Sequence, residues 1–347
     1  MASHFYERHS PSQRVSAHRQ RTGTSDQWRR TLTTMSNSDV EVLLCTYNGE
    51  PYLAEFLASL SAQTFRDFQL VVRDDCSSDE TLRVIKDSSD QFLNPPHIVE
   101  NSTPSGSAMA NFSNILSARS PAYAFLADQD DIWKSDKISR SLARMKELEA
   151  QHGVETPILL HGDLEVIDGS GKFCHRSFWE YKKIDPSYGR HVATALMHPS
   201  VVGCTALLNR SLLEKLGPIP PDAVMHDWWI NLLAATFGKV DYLEDPLVSY
   251  RIHGGNASKP RQVNLGYVVS SLNRSIDQGR RWMNVRMRQG KAFHLAYGSS
   301  APAAAKELLE RFATLDEAGQ LEKRIRLLKG GYFNPGLSRK LAALFFV

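Results

Sequence analysis

Short apolar runs that each end in a polar cluster, with helical periodicity between them, limit most strongly what this chain can fold into. Val40-Glu41-Val42-Leu43-Leu44-Cys45 reads as a buried strand and runs into Thr46-Tyr47-Asn48. Pro51 suits the first turn of a helix, and Leu53, Phe56, Leu57 and Leu60 recur behind it at helical spacing. Phe68-Gln69-Leu70-Val71-Val72 is a second strand, closed by Asp74-Asp75. Ser77 and Glu80 have capping-box spacing and predict a helix containing Leu82, Val84 and Ile85. Tyr123-Ala124-Phe125-Leu126 predicts a strand that leads to Asp128-Gln129-Asp130-Asp131, followed by a helix over 136–149 and a strand at Ile158-Leu159-Leu160. This order predicts an α/β layer with a mostly parallel sheet. Ligands of such sheets bind beyond the carboxyl ends of the strands, where the three polar clusters fall.

Charge divides the chain in three. Residues 1–38 carry a net +4 and no apolar periodicity, which predicts a disordered leader; a transit-like segment and translation from Met35 are two further readings of it. Residues 259–347 are basic, at +10, and look helical, which leaves −11 for 39–258. An acidic centre with basic ends suggests a cation-using catalytic domain and a tail that meets an anionic surface. In 321–347, basic residues alternate with apolar and aromatic ones; this suits a segment lying in a bilayer interface or a helix packed on the domain with its charges in water. No apolar run approaches the roughly 20 residues that span a membrane, and there is no secretory signal. Four scattered cysteines predict reduced thiols and a cytoplasmic protein, peripheral at most to the inner face of the membrane.

The acidic clusters carry the chemistry. Three carboxylates within four residues repel one another unless a cation or solvent compensates, and oxygen ligands suit Mg²⁺ or Mn²⁺. A solvated acidic loop is the plainer reading of the same quartet. Asp75 can accept hydrogen bonds from a base or ribose, or simply help turn the chain. Asp227, in His226-Asp227-Trp228-Trp229, is either a helix cap or a general base aimed at an acceptor hydroxyl. Trp228 and Trp229 offer flat apolar faces to a sugar if they are not core. His253 follows a strand-like run and precedes two glycines, where it can ligate a metal or touch a diphosphate. The chain has no dinucleotide-binding glycine fingerprint after the first strand and no Walker phosphate loop, which counts against a dehydrogenase and a P-loop phosphotransferase.

Taken in order, these residues resemble the family 2 glycosyltransferases. The run is Val42-Leu43-Leu44-Cys45-Thr46-Tyr47-Asn48-Gly49, Gln63-Thr64-Phe65, Asp74-Asp75-Cys76-Ser77, Phe125 to Trp133, Val202-Gly203-Cys204-Thr205, His226 to Trp229 and Tyr250-Arg251-Ile252-His253. It spans roughly 40–256, about one α/β domain. The Asp-Gln-Asp-Asp form, Phe178-Trp179 and Met225 to Trp229 look like the bacterial rhamnosyltransferase branch. One departure is Cys76, where the family usually has Gly in a tight turn. The resemblance implies a GT-A fold, Rossmann-like with flanking helices, over 39–258, with 259–347 as a helical C-terminal extension. It implies that Thr46, Tyr47, Asn48, Asp75, Asp128 and Gln129 meet the nucleotide sugar and that Asp130 and His253 hold the metal. Asp227 would be the base, with Trp228, Trp229, Gly203 and Cys204 on the acceptor side. The implied reaction is inverting transfer of L-rhamnose from dTDP-rhamnose to a glycan or lipid-linked acceptor. Rival readings are the same fold using a UDP-hexose, or a non-catalytic protein that binds sugar or polyanion. The acidic centre and the lack of a reader motif argue against nucleic acid.

Overall fold

The computed structural model describes residues 39–254 and 272–332. The chain opens with β1 (Val40–Thr46), α1 (Glu50–Ser61), β2 (Gln69–Asp74), α2 (Thr81–Asp87), β3 (His97–Glu100) and α3 (Ala108–Ser117). Next come β4 (Tyr123–Asp128), β5 (Ile132–Trp133), α4 (Lys137–His152), β6 (Ile158–Gly162), β7 (Glu165–Asp168) and β8 (Phe173–His175). The short α5 (Phe178–Lys182) and α6 (Val192–Met197) precede β9 (Leu207–Asn209), α7 (Arg210–Leu216) and α8 (His226–Phe237). Strands β10 (Lys239–Leu243) and β11 (Val248–Ile252) follow, then α9 (Leu272–Tyr297), α10 (Ala303–Ala313) and α11 (Gln320–Lys329).

Seven strands form the main sheet in the order β10-β6-β9-β4-β1-β2-β3, and only β9 runs against its neighbours. Strands β5-β11-β7-β8 form a smaller second sheet. The strands read as continuous apolar runs because both faces of the main sheet are covered. Side chains alternate across it. Leu43, Val71, Leu126 and Leu208 enter a core shared with α3, α6, α7 and α8. Val42, Leu44, Leu70, Val72, Phe125 and Ala127 enter a second core under α1 and α4.

The capping-box expectation fails at α2. Ser77 does not cap it: its hydroxyl and amide both donate to Asp74, at 2.6 and 2.8 Å. Asp79 instead accepts from the Thr81 amide, so the helix starts later. The tight turn that Cys76 put in question does form. Cys76 adopts φ 62, a left-handed conformation that a β-carbon disfavours by about 1 kcal/mol, and its thiol donates to the Asn101 carbonyl at 3.0 Å.

The basic C-terminal helices are packed into the first core. Phe293 meets Trp229 edge-on at 5.2 Å, and Tyr297 lies 6.0 Å from the same ring. Arg286 Nε donates to the Met197 carbonyl and Gln289 accepts from the Val224 amide, both at 2.6 Å. Gly290 lets α10 approach, since a β-carbon there would stand 2.4 Å from the Phe312 ring. The leader, 1–38, and residues 333–347 of the tail lie outside the described residues. Because Phe293 is fully buried beside Trp229, Phe293→Ala is expected to cost about 3–5 kcal/mol in urea unfolding. The loss should appear in one cooperative transition. A separate early transition, with the main midpoint unmoved, would show that the helices fold apart from the sheet.

Candidate active site

Strands β1, β2 and β4 are parallel neighbours, with Thr46 beside Asp74 and Cys45 beside Asp128 in the register. Their carboxyl ends therefore bring the three polar clusters to one edge. Thr46 lies beneath the surface, where its hydroxyl donates to Asp74 at 2.7 Å. Gln129 pairs with both backbone groups of Tyr47, accepting from its N–H at 2.9 Å and donating to its carbonyl at 3.0 Å. Thr46 and Gln129, both expected on the nucleotide sugar, brace the strand ends. Gly49 is required by this brace: a β-carbon there would sit 2.3 Å from Gln129 Oε1. Asn48, at φ 48, ties the loop to Ser77 and Ser78. The Tyr47 ring is exposed at the rim. Asp75 accepts from Asn101 Nδ2 at 2.9 Å and the Ser105 amide at 2.7 Å, both on Oδ1.

The acidic quartet splits by direction. Asp131 points into the protein and is 0% exposed, while Asp128 and Asp130 are partly exposed. Burial, with the charges of Asp130 and Asp227, pushes the Asp128 carboxyl up to about 7. Burial and the two neighbouring acids hold Asp131 well above the usual carboxylate range. Beneath lies Lys137, 3.3 Å from the centre of the Trp133 ring, its ammonium pulled down to about 7 by burial.

Arg251, which the sequence reading passed over for its neighbour His253, locks this quartet to β11. It is 1% exposed. Its backbone N–H donates to Asp131 Oδ1 at 3.1 Å, and its Nε donates to the Asp130 carbonyl at 2.9 Å. Its Nη2 reaches Glu55 at 2.7 Å, and the guanidinium lies over the Tyr52 ring at 4.9 Å. Two residues on, His253 Nε2 meets Asp130 Oδ2 at 2.7 Å, with its ring 4.7 Å from Tyr52.

The fourth acid comes from α8. His226 is buried and stacked on Phe112 at 4.1 Å, and burial holds its imidazole below the ordinary value, so it is neutral. Gly203 makes room for it, since a β-carbon would stand 2.9 Å from His226 Nε2. Asp227 is therefore fixed in the first turn of α8, where a carboxylate is favoured by the helix dipole, and its Oδ1 accepts from the Trp228 amide at 2.6 Å. Met225, not Asp227, occupies the cap position. The neighbouring tryptophans correct an expectation. Trp228 donates to the Ala195 carbonyl at 2.7 Å and Trp229 packs on Phe293, so both rings belong to the core and neither offers a face to an acceptor. Gly203 and Cys204 are likewise buried and act from below the site.

Four carboxylates converge here, and their mutual repulsion fits a divalent cation. Asp128, Asp131 and Cys204 can place ligand atoms within 4.8 Å of one another. Burial and the adjacent acids keep the Cys204 thiol protonated, which suits it poorly to a hard cation. Asp128 and Asp130 with His253 are the better set for Mg²⁺ or Mn²⁺. A hollow of about 520 Å³ opens elsewhere, lined by Asp163, Trp179 and Tyr242 among others. It lies where β7 and β11 begin, whereas His253 follows the end of β11.

Comparison with known proteins gives a family model, several relatives and a shared fold. The model of glycosyl transferase family 2 matches residues 41–217, just over half the chain. An uncharacterized glycosyltransferase of Nostoc sp. is 29% identical over 226 residues, 62% of this chain and 66% of its own. The putative teichuronic acid biosynthesis glycosyltransferase TuaG of Bacillus subtilis is 31% identical, covering 63% and 81%. The dTDP-rhamnosyl transferase RfbG of Shigella flexneri is 22% identical, covering 61% and 72%. Thus the match spans just under two thirds of the Nostoc protein's length. Among solved structures, S. aureus TarS 1-349 in complex with UDP-GlcNAc superposes with a TM-score of 0.51 at 15% identity, over 88% of this chain and 89% of that one. This likeness concerns the GT-A fold.

The clamp is testable without turnover. Arg251→Lys keeps the charge but cannot reach Glu55 and the Asp130 carbonyl together in the same fork. It is expected to lower stability by about 1–3 kcal/mol in urea unfolding, because the buried side chain at 251 and the Asp130 carbonyl lose their hydrogen bond. An unchanged midpoint would show that Arg251 does not hold the quartet.

Proposed function

The chain belongs to glycosyl transferase family 2, and we propose that it transfers a sugar from a nucleoside diphosphate to an acceptor hydroxyl with inversion at the anomeric carbon. The observation that carries this reading is the pairing of Asp130 with His253 at the strand ends, beside Asp128, with Asp227 in the first turn of α8 near enough for its charge to act on Asp128. Catalysis is assigned to 39–258, and 259–347 to a helical extension whose described helices buttress α8.

In this reading Asp75 receives the base or ribose, since both its internal hydrogen bonds fall on Oδ1. Tyr47 and Asn48 form the rim over it. Asp128, Asp130 and His253 would hold Mg²⁺ or Mn²⁺, which when bound offsets the charge gathering on the departing diphosphate. Asp227 stands on the acceptor side. The acceptor oxygen attacks the anomeric carbon, its bond to the diphosphate oxygen breaks, and the acceptor proton passes to the Asp227 carboxylate. His226, stacked on Phe112 and kept toward its neutral form by burial, packs beside that turn.

For the donor, dTDP-β-L-rhamnose is favoured by the Asp-Gln-Asp-Asp run and by likeness to RfbG; the product would be an α-rhamnoside. The acceptor is a glycan or lipid-linked sugar of a bacterial surface polysaccharide. A UDP-hexose is the competing donor. It draws support from the 27% identity to the E. coli UDP-Glc:alpha-D-GlcNAc-diphosphoundecaprenol beta-1,3-glucosyltransferase WfgD.

Asp227→Asn preserves shape and removes basicity. Turnover of a nucleotide-sugar panel, followed by nucleoside diphosphate release, is expected to fall by about 10²–10⁴-fold while donor affinity holds. Near-full turnover in the Asn variant would reduce Asp227 to a helix-turn residue. Asp130→Ala is expected to abolish turnover. Excess chelator should do the same to the unaltered chain, and full activity in chelator would remove the metal from the account.

A further inference from the structure

Helix α11 has two apolar faces, and the fold uses only one of them. Leu327 is buried in the core shared with α8 and α9. Leu321, Ile325 and Leu328 are 72%, 43% and 42% exposed. Their spacing places all three on one strip of the helix, roughly a third of a turn from Leu327 at about 100° per residue. The same geometry sets Arg324 and Lys329 along the two sides of the strip. Arg326 is turned back toward the protein, where it meets Glu322 at 2.6 Å and Thr314 at 3.0 Å.

We propose that this strip is a docking surface for an anionic membrane. Three features favour that occupant. The strip is apolar and narrow, as suits shallow insertion at the headgroup boundary, and no described helix is long and apolar enough to cross a membrane. Its borders are cationic: α11 carries Lys323, Arg324, Arg326 and Lys329 against Glu322 alone. The sequence beyond it, 333–347, adds Arg339 and Lys340, five Leu, Phe or Val among its last seven residues, and no acid. A second copy of the chain is a poor occupant, because pairing the strips would bring two cationic borders together in a partly desolvated contact. Electrostatic attraction and apolar insertion act together here; each basic residue near an anionic surface contributes an attraction worth about fivefold in affinity.

Co-sedimentation of the full chain with phosphatidylcholine vesicles, with and without phosphatidylglycerol, tests the proposal. The chain is expected to bind only the anionic vesicles and to be released by high salt. Leu321→Gln/Ile325→Gln/Leu328→Gln, which leaves Leu327 in place, should weaken binding by at least about tenfold with the melting temperature and nucleotide-sugar turnover unchanged. Arg324→Gln and Lys329→Gln should each weaken it by about fivefold. The proposal is overturned if the unaltered chain ignores anionic vesicles at low salt. It is equally overturned if the triple variant binds as the parent does, or if sedimentation velocity shows a dimer that the triple variant dissolves while vesicle binding is absent.

Discussion

Everything at the site depends on holding like charges together. Asp128, Asp130, Asp131 and Asp227 meet at one edge of the sheet, and the protein stabilises that arrangement through backbone bonds more than through counter-charges. Arg251 and the quartet grip each other reciprocally: the Arg251 backbone is bound by an Asp131 carboxylate, and the Asp130 backbone is bound by the Arg251 guanidinium. The clamp fixes where Asp130 stands relative to His253, which follows the end of β11. Asp131 thus serves the site from beneath, and Asp128 and Asp130 are left to face outward with a repulsion that a bound cation would relieve.

The same economy of position governs the acceptor side. Asp227 is placed by the packing of its neighbours and by its hydrogen bond from the Trp228 amide. His226 is pinned between Phe112 and Gly203, Trp228 is anchored to the α6 carbonyl of Ala195, and Trp229 is buttressed by Phe293 of α9. The C-terminal helices therefore reach the chemistry through the core, although they contribute no group to the described site. A change in α9 that loosens Trp229 would act on the orientation of α8 before it acted on any ligand.

Much of this was legible in the sequence because strand ends announce themselves. A buried run followed by Asp74-Asp75 or by Asp128 to Asp131 fixes both the element and the edge, and parallel order brings the clusters together. What stayed hidden depends on direction, which residue type does not encode. Asp130 and Asp131 are adjacent, yet one faces outward and the other is buried. Trp228 and Trp229 read equally well as sugar platforms or core, and only packing against α6 and α9 decides. Thr46 and Gln129 carry polar groups suited to a nucleotide, and that they also brace the strand ends is not written in their type. Ser77 has the spacing of a helix cap, but Asp74 lies closer. Arg251 was visible within the Tyr250 to His253 run; what identified its role was a buried guanidinium, and burial is not written in the motif.

The central claim is that these acids and the start of α8 enclose one donor site, and a crystal structure of the chain with a nucleoside diphosphate and Mn²⁺ tests it most directly. The account predicts the base against Asp75, the diphosphate beside Asp130 and His253, and an open space facing Asp227 where the sugar would stand. A nucleotide seated instead in the hollow lined by Asp163, Trp179 and Tyr242, with the acidic edge empty, would contradict it.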